Sequence, residues 1–429
     1  MNGEGRVHRA VRVLLFLTSF SWTFNPIQDY MGEGTPLEKI ATRMVPMLIV
    51  GAYCLFCRHR DRLRTMFRPG LWALLWYVAF GVFCGISSVQ PALCAWKGAE
   101  ILIAVMFFCV SCRDAQTTRH ELESFVTLYE ILLWATVALA IVNPSLGLRR
   151  SASVIPWLQG YLPILNPNAL GFLAVLCVAK LLFLPARWKP VRLMMAAGVL
   201  VCSQSRTSYV VMIAVLVIYM IDGFRARQYG RMVLTFFFAF LALACIANWH
   251  EAILRVVMRG QTAEEMGSLS GRTDYWAFAM DNVSWIGSGL ATGSRSLIFI
   301  GESTFHKGSV NMHNSFVEAL VGAGYIGAVP FLAMIVINTL RQGVRTIVRP
   351  SLEEALFLVV AITFIARGMT SIVFALFSCD FNNMMIFWAW LYARDARTVP
   401  AVDAPPPRPV VYERTLAEQR MAQDAAPHG

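Results

Sequence analysis

Three basic side chains interrupt an otherwise apolar sequence where they could do chemistry. Arg206 lies in "SQSRTSYV", Arg272 in "SLSGRTDYW", and His313 in "NMHNSFVEALVGAGYIG", where a hydrophobic helical pattern begins. A guanidinium is planar, stays charged at any relevant pH and binds phosphate oxygens bidentately. Two of them suit a diphosphate. An imidazole at a helix N-terminus feels the positive end of the dipole, and neighbouring arginines add to that field; both favour the neutral ring. A neutral imidazole can take a proton from a hydroxyl. Together these residue types describe a base beside an anion pocket. Arg150, next to Arg149, and Asn168, in "LPILNPNALGFL", are further pocket candidates.

Each residue also has a plainer reading. Arg206 could snorkel at a membrane interface, Arg272 could be a solvated loop charge, and a lone histidine before a helix is commonly a polar end-group. Glu318 fits a capping box with Ser315 in "SFVE". Metal chemistry has little to stand on. There is no DxD pair and no HExxH, and Glu264, Glu265, Asp274, Asp281 and Glu302 are scattered. Arginine takes the charge-neutralising role here, and neither a metal nor another cofactor is expected.

The elements that position these residues are legible from hydropathy. Of 429 residues, 57% are hydrophobic and 15% charged, with mean hydropathy +0.56; a soluble domain carries about 25% charged residues. Apolar runs such as "AEILIAVMFFCV", "ILLWATVALAIV" and "FLAMIVINTL" recur from end to end. They do not alternate as barrel strands would, and a chain in lipid must satisfy its backbone within each segment, so they read as helices. The expected fold is an all-α polytopic membrane protein. About twelve spans are placed near 11–28, 41–57, 71–89, 98–112, 123–142, 166–184, 190–204, 207–221, 232–248, 313–340, 352–366 and 371–393. The tenth contains Gly324, Gly327 and Pro330, which predicts a kink or break. The first follows a short basic region but lacks a small-residue cleavage site, so it reads as a retained helix.

Charge orients the spans. With the N-terminus inside, the inner connections hold 19 Lys and Arg, among them the cluster Arg58, Arg60, Arg62, Arg64 and Arg68, against 7 in the outer short connections. Both termini then lie in the cytoplasm. The net charge of +11 records this topology, and no nucleic-acid partner is read from it. Residues 1–248 hold spans one to nine, 249–312 a long outer loop with short helical patterns, 313–393 spans ten to twelve, and 394–429 a polar, proline-containing tail expected to be disordered. The CxxC spacings Cys54/Cys57 and Cys109/Cys112 fall in apolar helices, where packing is the ordinary role.

At the candidate residues the chain resembles the O-antigen ligase and O-antigen polymerase superfamily, which includes bacterial O-linked oligosaccharyltransferases. The matching stretches are "NPNALGF" at 166–172, "SRTSYV" at 205–210, "SGRTDYWAFAMDNVSWIGSGLATG" at 270–293 and "HNSFVEALVGAGYIGAVPF" at 313–331. The resemblance implies a membrane glycosyltransferase of the GT-C kind in the bacterial inner membrane, with its active site facing the periplasm. It implies an undecaprenyl diphosphate-linked glycan as donor and, for a ligase, lipid A-core as acceptor. Polymerases instead extend a second lipid-linked glycan, and oligosaccharyltransferases modify protein hydroxyls. Arg206 and Arg272 match arginines thought to hold the diphosphate. His313 matches the histidine thought to activate the acceptor hydroxyl for a direct, inverting, metal-independent transfer. The motif region does not by itself separate ligase from polymerase. Polymerases tend to be more divergent, oligosaccharyltransferases often carry additional C-terminal sequence where the tail here is short, and ligase is favoured. A rival of another class, an anionic-lipid transporter, would place charges mid-span, and Asp380 is the residue that keeps it in view.

Overall fold

Long apolar segments leave the backbone no partner but itself, and the computed structural model of the protein is built of helices accordingly. It describes residues 3–20, 40–88, 90–149, 156–160, 163, 165–225, 227, 230, 272–294, 297 and 312–395. In chain order the helices are α1 (Gly3–Thr18), α2 (Val45–Phe56), α3 (Pro69–Cys84), α4 (Pro91–Ser111), α5 (Ala115–Val142), the single turn α6 (Pro144–Gly147), α7 (Pro167–Phe183), α8 (Lys189–Ser203), α9 (Arg206–Arg225), α10 (Arg272–Asp281), α11 (Ser315–Val348), α12 (Leu352–Gly368) and α13 (Cys379–Asp395). A two-residue antiparallel ladder pairs β1 (Leu148–Arg149) with β2 (Trp157–Leu158). These helices pack within the unit that ends at Ala393.

Among the described residues, five helical segments are long and apolar enough to cross a membrane: Gly70–Ser87, Pro91–Ser111, Ala115–Val142, Arg206–Arg225 and Ser315–Val348. Two shorter apolar helices, Thr42–Phe56 and Pro167–Phe183, accompany them. This is a multi-pass, all-α membrane architecture. The expected ninth span, residues 232–248, lies outside the described residues, as do most of the expected loop and nearly all of the tail.

Local chemistry sets the helix starts. Asp114 accepts from the Thr117 amide at 2.8 Å while the Thr117 hydroxyl accepts from the Asp114 amide at 3.0 Å, a reciprocal cap for α5. Asn166 caps α7 through the Ala169 amide at 2.8 Å, and Ser351 caps α12 through the Glu354 amide at 3.1 Å. Pro69, Pro91 and Pro167 occupy first-turn positions, where the missing N–H costs nothing. α7 is apolar on every face and buried over most of its length, packed by α5, α8, α9 and α12.

Several boundaries differ from the hydropathy reading: α4 begins at Pro91 rather than near 98, α5 at Ala115 rather than near 123, and α11 ends at Val348 rather than near 340. α1 begins at Gly3 rather than near residue 11, because His8 and Arg12 are drawn in by the buried Glu121 carboxylate; Arg12 meets it bidentately at 2.7 Å. α13 begins at Cys379 rather than near 371. Residues 369–378 are instead an irregular segment packed inside the protein, with Val373, Phe374 and Ala375 fully buried. Apolar composition alone cannot distinguish a buried loop from a helix.

Candidate active site

The turn between α8 and α9 presents Arg206. Ser203, Gln204 and Ser205 are buried, and Gln204 adopts a left-handed conformation, φ +49°, that ends α8 sharply. The Ser208 hydroxyl donates to Ser205 Oγ at 2.7 Å, and the Trp157 indole donates to Gln204 Oε1 at 2.5 Å. This turn lies against α7 at Gly171, in its second turn. A Cβ there would stand 2.6 Å from Ser208 Oγ and 2.7 Å from Ser203 Oγ. The glycine of "NPNALGF" is therefore what lets the serine-rich turn approach. Arg206, the first residue of α9, is half-buried, and Asn168, one turn before Gly171, is exposed. Arg150 lies outside the described residues.

A second junction presents Arg272 and His313. α11 is one long helix by its hydrogen bonds, yet Gly324 has φ +64° and ψ −177°, a break within it. The broken turn pairs with residues 284–289. Ser288 N donates to Val321 O and Gly289 N to Gly322 O, each at 2.9 Å; Tyr325 N donates to Ser284 O at 3.2 Å. A Cβ at Gly324 would lie 2.5 Å from Gly287 N, in a conformation that already penalises any side chain. The predicted kink is thus a backbone-to-backbone joint. Glycine on both partners, in "IGSGLATG" and "VGAGYIG", permits it.

This joint leaves the start of α11 beside α10. Ala279, Met312, Val317 and Val321 form a small core of their own, flanked by Tyr275 and Trp276. The Trp276 indole donates to the Met312 carbonyl at 2.8 Å. His313 follows in a left-handed conformation, φ +49°, strained for a non-glycine residue and of the kind that gathers at functional positions. Asn314 is the N-cap: its Oδ1 accepts from Phe316 N at 2.9 Å and Val317 N at 3.3 Å. The capping box expected between Ser315 and Glu318 is not formed. The buried Glu318 carboxylate accepts from Ser294 Oγ at 2.6 Å, and Ser315 Oγ bridges to the 369–378 segment. Ser315 is already inside the first turn, so its hydroxyl is available to a tertiary partner.

Arg272 opens α10 and donates to the Thr370 carbonyl at 3.2 Å. Among the described residues no carboxylate pairs with it. Burial lowers its pKa. Arg272 and His313 are within electrostatic reach of one another: burial and then the Arg272 charge push the imidazole down to about 4. The ring is therefore neutral at physiological pH. α12, which packs on α7, α9 and α11, is the element common to both junctions.

Sequence reasoning did not find the partners of this site. Residues 371–378 read as part of a span and 369–370 as a short connection, and the ion pair of Arg367 with Asp380 at 2.5 Å joins residues assigned to different roles. The one available signal was a pair of opposite charges flanking an apolar stretch.

The fold defines a multi-pass helical membrane protein in which Arg272 and a neutral imidazole come together where α10, α11 and the α12–α13 segment meet, while Arg206 stands at the separate α8–α9 turn. Residues 193–332 match the O-antigen ligase family model, a stretch that contains Arg206, Arg272 and His313. The match covers about a third of the chain, makes that stretch similar to the O-antigen ligase family, and supports a ligase- or polymerase-type function in general. No curated protein matches the chain.

Proposed function

We propose that the protein is an O-antigen ligase of the bacterial inner membrane. It transfers a glycan from undecaprenyl diphosphate to a sugar hydroxyl of lipid A-core at the periplasmic face, with both termini in the cytoplasm. The observation that carries this reading is the meeting of Arg272 with a neutral, half-buried His313 inside the family-matched stretch. Arg206 and Arg272 bind the diphosphate; Arg150 and Asn168 help shape the pocket.

In the reaction the acceptor hydroxyl oxygen attacks the anomeric carbon as the bond to the diphosphate oxygen breaks. The electron pair leaves with the diphosphate, whose growing charge the guanidinium groups stabilise. The hydroxyl proton passes to the His313 imidazole. Attack from the face opposite the leaving group inverts the anomeric configuration. A ring with a pKa of about 4 is a weak base at rest. The bound diphosphate offsets the Arg272 charge, so the imidazole gains basicity when the donor is in place.

The test is to mix purified protein with undecaprenyl diphosphate-linked glycan and rough lipopolysaccharide, without added metal. The expected result is a ladder of glycosylated lipopolysaccharide. His313→Ala should lose most of the 10²–10⁴-fold typical of acid–base catalysis. Full activity of that variant overturns the base assignment. Head-group movement across a vesicle without any new glycosidic bond would support a transporter instead.

A further inference from the structure

We infer that the buried Arg367–Asp380 ion pair is a positioning device: it fixes the two ends of the 369–378 segment, which in turn holds Arg272 and the residue following the His313–Asn314 turn. The inference rests on the site reading above, and it adds two residues that do not touch the reacting atoms.

Arg367 is the penultimate residue of α12 and Asp380 the second residue of α13, with the irregular segment between them. The segment's backbone is spent on tertiary partners. Thr370 O accepts from Arg272, while Ser371 O and Val373 N both bond Ser315 Oγ, at 2.9 and 2.6 Å. Further along, Ala375 O accepts from the buried Tyr77 hydroxyl at 2.8 Å and Phe377 O from Arg43 at 3.4 Å. Irregular backbone is tolerated in a membrane protein only where protein or a polar cavity satisfies it. A loop whose carbonyls are aimed this specifically needs fixed ends.

The ion pair supplies them. Arg367 Nη1 lies 2.5 Å from Asp380 Oδ2, with the guanidinium 5.5 Å from the centre of the Phe172 ring of α7. Asp380 is 1% exposed and Arg367 9%. The Tyr129 hydroxyl, from α5, lies 3.0 Å from both the Cys379 carbonyl and Asn383 Oδ1, so the start of α13 is also tied to the frame. Desolvating two charges offsets most of what their attraction returns, so a buried pair of this kind is a poor device for stability alone. Its value lies in geometry. Thr370, whose carbonyl receives Arg272, is three residues beyond Arg367, and its own amide bonds the Arg367 carbonyl at 2.9 Å. A shift at the pair is passed directly to Arg272.

The test is a double-mutant cycle between Asp380→Asn and Arg272→Ala, read by the titration of His313 in histidine-labelled protein in nanodiscs and by transfer kinetics. Arg272→Ala removes a repelling charge and should raise the His313 midpoint from about 4. Deleting the Asp380 charge by itself would lower that midpoint. A rise in Asp380→Asn therefore marks a displaced Arg272. The expected result is a rise in Asp380→Asn and no further rise when it is added to Arg272→Ala. Transfer should fall roughly a hundredfold, as for an ångström-scale misplacement, with donor KM raised and acceptor KM unchanged. A folded Asp380→Asn protein with an unmoved or lowered midpoint, or with effects that multiply fully with those of Arg272→Ala, overturns the inference. If Asp380→Asn does not fold, Arg367→Lys, which keeps the charge and loses the fork, takes its place in the same cycle with the same outcomes. Coupled titrations with no glycan transfer by the unaltered protein would sink the ligase reading and leave the positioning role standing.

Discussion

The helical frame and the α10–α11 junction treat buried charge in opposite ways. In the frame, cations meet carboxylates: Arg12 with Glu121, Arg192 with Glu130 through both oxygens at 2.5 Å, and Arg43 with Lys97 around the fully buried Glu100. At the junction, Arg272 meets a carbonyl and an imidazole instead. The frame is joined by side chains packed in one large apolar core. The junction is joined by glycine-to-glycine backbone contacts and a small core of four buried residues. The contrast teaches where a ligand's charge is needed. A matched cation holds structure, whereas a partly desolvated cation that meets no carboxylate among the described residues is poised for an anion that arrives later.

Substitution should separate the two regions. Arg272→Ala should cut transfer about 10²–10³-fold, the loss seen when one donor to a developing negative charge is removed, while leaving the unfolding temperature in detergent nearly unchanged. The converse belongs to the frame. Glu121→Gln strands the buried Arg12 charge and should cost about 3–5 kcal/mol of stability by denaturant unfolding, with the turnover of the folded fraction preserved. Equal stability losses in the two variants would erase the distinction.

A smaller effect sharpens it through pH. The His313 midpoint is about 4 in the folded protein against an ordinary histidine value of 6.5. Between those values the unfolded chain binds more protons, so stability rises with pH across the window. The contribution of the neutral ring is complete above 6.5 and is lost as pH falls toward 4. The acid limb of kcat/KM should lie near 4, and Arg272→Ala should move it upward; an acid limb at the ordinary histidine value would show that the ring is not buried beside that charge. The smallest effect compares two helix caps. Ser351→Ala in the frame and Asn314→Ala at the junction should each cost about 1 kcal/mol of stability. Only Asn314→Ala should also slow transfer, since it loosens the turn that carries His313.

Much of the helical frame was legible in the sequence. Lipid offers the backbone no partner, so apolar length converts into helix, and several expected spans are described as helices with shifted ends. The break at Gly324 was legible as a glycine within a long apolar run, although its cause, a joint with residues 284–289, was not. The candidate residues themselves stood out because a charge in an apolar chain needs a reason. The sequence by itself determined that this chain forms apolar helices, where they carry basic residues, and that His313 precedes a helix. Only the tertiary structure decided which cations are neutralised, that Ser315 serves the 369–378 segment rather than a capping box, and that Arg272 lies beside His313. Those outcomes depend on pairs such as Arg43 with Glu100 or Arg272 with Thr370, which are distant along the chain. Local propensity acts over a turn or two, and electrostatic pairing acts wherever folding happens to bring charges together.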